Sequence, residues 1–122
     1  MDVDFNEIRT KHAQWRIRLN KFLKNQENLT IEQAGTHRDC ALGKWIHSEG
    51  RAQFGHLKEM LDLAKTHRDM HEAVLATIRA KEAGNPTAAA ASLAEVEALS
   101  RKVVQQIRTV EMIVHVANSI AP

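Results

Sequence analysis

Cys40 is the only cysteine in a chain of 122 residues, and it opens the run Cys40-Ala41-Leu42-Gly43-Lys44-Trp45. A lone thiol in such a run can be a packed core residue, a nucleophile or a metal ligand. Seven histidines accompany it. His67 and His71 are four residues apart, which on a helix sets their Cβ atoms roughly 5–6 Å from each other on one face. Both imidazoles can therefore reach one metal ion. His12 falls on the apolar seam of another predicted helix. One histidine on a core seam reads most simply as a hydrogen-bonded core residue. Three that converge in one interior need a shared partner, because each buried group left unsatisfied costs about 1–3 kcal/mol. A cation satisfies all three, and Cys40 supplies a thiolate. His12, Cys40, His67 and His71 have the softness and number of a closed tetrahedral zinc site, with expected bonds of about 2.0–2.1 Å to nitrogen and 2.3 Å to sulfur. A site filled by four protein donors argues against an enzyme, since hydrolytic zinc keeps one position for water unless a ligand leaves. Cys40 is the ligand most suited to leaving. His37, three residues before Cys40, is a substitute ligand; otherwise it reads, with His47, His56 and His115, as solvent-facing or capping.

Four segments must position these groups. Phe5, Ile8, His12, Trp15, Leu19 and Phe22 alternate at three- and four-residue spacings and predict a first helix over 5–22, with Asp2 or Asp4 as its cap and Asn25-Gln26-Glu27-Asn28 at its end. Residues 29–39 are mixed and interrupted by Gly35. Thr36 or Asp39 is the expected N-cap of a short helix over Cys40–His47, with Gly50 and Gly55 bracketing its exit and Gly43 as a close-packing point. Leu57, Met60, Ala64, His67, His71, Val74 and Ile78 form the next seam, with Leu61 and Leu75 predicted to broaden it. Gly84 then stands where a helix C-terminus favours glycine, and Asn85-Pro86 is a cap followed by a first-turn proline. From Pro86 to about Ser119, Leu93, Val96, Leu99, Val103, Ile107, Val110 and Ile113 form the spine of one long helix or two. The expectation is one all-α domain over 1–122, an antiparallel four-helix bundle with an additional short helix carrying the Cys-x-Leu-Gly-x-Trp block.

Composition agrees with helices. Hydrophobic residues make up 43% of the chain, enough to bury a core without disulfides, while glycine, proline and aromatics are scarce. The net charge of +2 arises from 17 basic and 15 acidic residues that are interspersed, so no basic stripe points to nucleic acid. No run approaches the ~18 apolar residues of a membrane span, and the first residues lack the pattern of a signal peptide. One cysteine and no leader pattern fit a cytoplasmic location. Trp15 and Trp45 read as core anchors that also keep solvent from the metal.

Taken together, His12-Ala13-Gln14-Trp15, Cys40-Ala41-Leu42-Gly43-Lys44-Trp45-Ile46 and His67-Arg68-Asp69-Met70-His71 resemble the bacterial chemoreceptor zinc-binding (CZB) domain family. The middle block is the most specific part, and the motifs span roughly residues 1 to 80. The resemblance implies Zn2+ held by His12, Cys40, His67 and His71 in a helical bundle that forms a homodimer. It also implies regulation of a signalling output, of chemoreceptor or diguanylate cyclase type, in response to zinc or to oxidants such as hypochlorous acid.

Three other readings compete. A hemerythrin-like di-iron protein also places histidines in a helical bundle but needs bridging carboxylates on the seams. A thiol or zinc enzyme would use Cys40 as nucleophile and His67 or His71 as base, yet no Gly-rich loop or oxyanion motif accompanies them. A structural helical adaptor would use the histidines only to fill its core.

Overall fold

A computed structural model describes residues 5–34 and 40–120, apart from the side chains of His12, Gln33, Ala34, Ala41 and Ile120. All regular structure among these residues is helical. The elements are α1 (Phe5–Leu23), α2 (Ile31–Ala34), α3 (Ala41–Trp45), a π-helical turn (Ile46–Gly50), α4 (Arg51–Phe54), α5 (Lys58–Glu82) and α6 (Pro86–Ile120). The last segment is thus a single helix of 35 residues.

The helix ends follow from local chemistry. Asn25, at φ 60°, closes α1: its N–H donates to the Phe22 carbonyl and that of Gln26 to the Lys21 carbonyl at 2.8 Å, so two terminal carbonyls are satisfied. Lys81 adds a side-chain bond to the same Phe22 carbonyl. Gly84, at φ 72°, closes α5 in the same manner, with Asn85 N–H donating to Ala80 and Gly84 N–H to Lys81. Asn85 then turns its Oδ1 to the Ala88 N–H at 3.1 Å and caps α6, so the α5–α6 connection is nearly as short as a connection can be.

Cross-helix contacts fix the topology. Arg9 pairs with Glu111 and Asn20 with Glu97, so α1 and α6 run in opposite directions. Trp15 meets His71 and Phe22 meets Lys81, so α1 and α5 run the same way. Cys40 lies against His67, and Gly50 against Met60, so the α3–π–α4 segment runs back along α5. The result is an up-down-up-down bundle in which the Cys40 block forms the second member, rather than an addition to four; α2 is the extra short helix.

Two apolar clusters fill the interior. Phe5, Ile8, Leu42, Trp45, Ile46, Met60, Leu63, Met70, Val103, Ile107 and Val110 make the first, and Leu19, Phe22, Leu29, Ala73, Val74, Ile78 and Val96 the second. Trp15 packs against both. Leu61 departs from its predicted place in the seam and is 61% exposed. Helix α5 instead buries the opposite flank, Leu63, Thr66, Met70, Ala73 and Thr77, against α6, so its buried arc is wide but displaced. No helix among the described residues is long and apolar enough to cross a membrane.

Candidate metal centre

Helix α5 presents His67 and His71 to the interior between Leu63 and Val74, at the divide between the two apolar clusters. Their exposures are 1% and 4%, and their rings meet edge to face with centroids 4.6 Å apart. This is the one-turn stacking that the four-residue spacing predicts. The Trp15 ring stands edge-on to His71 at 6.4 Å, and the Arg18 guanidinium lies 5.1 Å from the Trp15 centroid. An aromatic wall with a cation over it thereby limits water at the imidazoles.

Cys40 reaches this pair from the start of α3. Its backbone is extended, at φ −78° and ψ 161°, and its carbonyl accepts from Lys44 N–H, so Cys40 itself is the N-cap. The caps expected at Thr36 and Asp39 lie outside the described residues, as do Asp2, Asp4 and His37. The Gly43 N–H points at Cys40 Sγ across 3.4 Å, and Cys40 Sγ lies 3.1 Å from His67 Nε2. Gly43 is buried, as a close-packing residue should be. Residue types alone do not signal the part its amide plays, because a backbone donor has no residue signature.

The helix that carries Cys40 does not stop at Gly50, as two bracketing glycines suggest. Ile46–Gly50 is a π turn, Gly50 has ordinary helical dihedrals, and the chain continues through Arg51–Phe54 to end at Gly55. The Ser48 hydroxyl donates to the Lys44 carbonyl at 2.6 Å, which satisfies a group in the turn before the π-helical residues. Trp45 anchors the segment as predicted, 6% exposed, with Phe5 as its edge-to-face partner at 5.4 Å.

One ligand atom each from Cys40, His67 and His71 lies within 4.8 Å of the others. Bonds of about 2.0–2.3 Å in a tetrahedron separate ligand atoms by roughly 3.3–3.8 Å, so small side-chain shifts suffice to close these three around zinc. The donor set also fits: a thiolate and imidazoles are the ligands zinc prefers, and the two imidazoles are buried while Cys40 is half-buried. This group contains no carboxylate, which a hemerythrin-like iron pair requires. His12 lies on α1, one turn before Trp15, and its side chain is outside the described residues. His47, His56 and His115 are exposed, in keeping with their reading as surface residues.

Residues 12–78 of the 122 match the family described as the chemoreceptor zinc-binding domain, CZB. The chain belongs to this family. The match begins at His12, ends at Ile78 and takes in the whole Cys40 block, so all four candidate ligands fall inside it. No curated protein and no solved structure matches the chain. As a CZB domain it is a zinc-binding signalling module with a helical fold. Helix α6 lies beyond the matched residues, although it covers one whole flank of the helix that bears His67 and His71.

Proposed function

We propose that this CZB domain is a regulatory zinc site, not an enzyme, with His12, Cys40, His67 and His71 as the four ligands. The approach of the half-buried Cys40 Sγ to the buried His67 Nε2 at 3.1 Å, within a three-donor group, carries the reading. The position of His12 on α1, one turn from the tryptophan that meets His71, supports its place as the fourth ligand. Four protein donors leave no position for a reacting water.

Bound zinc would hold the Cys40 sulfur as a thiolate at neutral pH. In that form the sulfur would take an oxygen atom from hypochlorous acid, giving sulfenic acid and releasing chloride. Because the same sulfur accepts the Gly43 N–H, its modification acts at once on a ligand and on the first turn of α3. The short helix is then freed at its start and held by Leu42, Trp45 and Ile46 in the core. Movement of that segment is the signal, passed in a cytoplasmic homodimer to an output of chemoreceptor or diguanylate cyclase type.

Equilibrium dialysis tests the site. We expect one zinc per chain, and loss of tight retention, by tenfold or more, in Cys40→Ala, His71→Ala and His12→Ala, as a ratio of about 1.4 kcal/mol or greater. Undiminished affinity in Cys40→Ala and His71→Ala would remove the assignment. Chelation should leave most of the far-UV helix signal, since apolar clusters flank the histidines on both sides. Complete loss of that signal would replace regulation with a purely structural role.

A further inference from the structure

The exposed Leu61 has a setting that the zinc site does not explain. It lies in a groove of about 310 Å³ between α5 and the π-turn segment, whose floor is Ile46, Met60, Leu61 and Ala64. His47 and Arg51 stand on its rim, and no carboxylate lines it. Arg51 makes no ion pair among the described residues, and neither does Lys44, one turn before His47, or Lys65, one turn after Leu61. An apolar floor between two antiparallel helices, with cations along the rims, is the complement of one face of an acidic amphipathic helix.

We propose that this groove docks an acidic amphipathic helix of a partner protein, with an apolar side chain seated on Leu61 and carboxylates directed to Arg51. The reasoning is independent of the zinc reading, since it uses neither Cys40 nor the histidines of α5. Charge complementarity selects this occupant. A basic helix would meet the Arg51 guanidinium and no carboxylate. The exposed apolar residue in the floor gives a helix, rather than a free anion, its anchor. The groove's walls are the π-turn segment, which carries Cys40 at its other end, and the α5 turn before His67, so an occupant would rest on both.

The test uses the full chain and two labelled, designed amphipathic peptides of about five helical turns. Both carry leucines at three- and four-residue spacing; one has glutamate on its polar face and the other lysine. Anisotropy titration should show saturable binding of the glutamate peptide, at least tenfold tighter than the lysine peptide, weakening as salt rises. Leu61→Ser should weaken the glutamate peptide at least fivefold. Arg51→Glu should do the same and improve binding of the lysine peptide. Both substitutions are at exposed positions, and an unchanged circular dichroism spectrum checks that they fold. Equal binding of the two peptides, or indifference to Arg51→Glu, overturns the proposal. Binding of dodecanoate in the groove without binding of either peptide also overturns it, in favour of a small-molecule site.

Discussion

Cys40 shows how two roles fall on one atom. As the N-cap of α3 its sulfur accepts a backbone N–H, and as the neighbour of His67 it is placed to bind metal. Substitutions can separate these roles. Cys40→Ser keeps a capping oxygen, so in chelator it should unfold within about 1 kcal/mol of the parent, whereas Cys40→Ala should lose a further ~1 kcal/mol, the usual value of a cap. Both should bind zinc weakly, and urea titration beside dialysis distinguishes the two losses. The thiol and the paired histidines were legible in the sequence because their types and spacing carry the chemistry. The cap was not. Its identity depends on where the chain turns from extended to helical backbone, and propensity favours Thr36 or Asp39 over a cysteine.

At the scale of elements, periodicity located the long helices well and the second member poorly. Helix α5 follows its seam from Met60 to Ile78, and α6 buries Val96, Val103, Ile107 and Val110 as its spine requires. Leu61 misled because a three-and-four pattern defines an arc without saying which flank faces a neighbour; α6 occupies the other one. The π turn was invisible because its dihedrals are those of a helix and its extra residue has no signature. Gly50 is nevertheless fixed there by space. A Cβ at this position would stand 3.0 Å from Met60 Cε, the Trp45 ring and the Trp45 carbonyl. The methionine can yield, but the ring and carbonyl cannot move without disturbing the segment, so Gly50→Ala should destabilise by about 1–3 kcal/mol in urea unfolding. Gly84→Ala is a contrasting case. Nothing lies within 4 Å of a Cβ there, and the cost is that of a left-handed backbone alone, about 1 kcal/mol.

For the molecule as a whole, the polar centre is set between two apolar clusters rather than at an end of the bundle. Each cluster draws on α1, α5 and α6 or on the segments beside them, so apolar packing joins the helices above and below the histidines. Truncating a fully buried residue in the first cluster, as in Ile107→Ala, should cost about 2–5 kcal/mol. Thermal unfolding with and without zinc should show the same decrement in both forms if the core and the site are independent. The tight α5–α6 connection also bears on the order of assembly. Contacts across a short hairpin are local in sequence and close quickly, whereas Cys40 must be brought across from a separate segment. The imidazole pair should therefore be laid down with the hairpin, and the thiol should arrive afterwards. During refolding, a pulse of alkylating reagent should label Cys40 after the α5 amides have already become protected from exchange, leaving a brief interval in which the nascent protein carries a reactive sulfur with no partner.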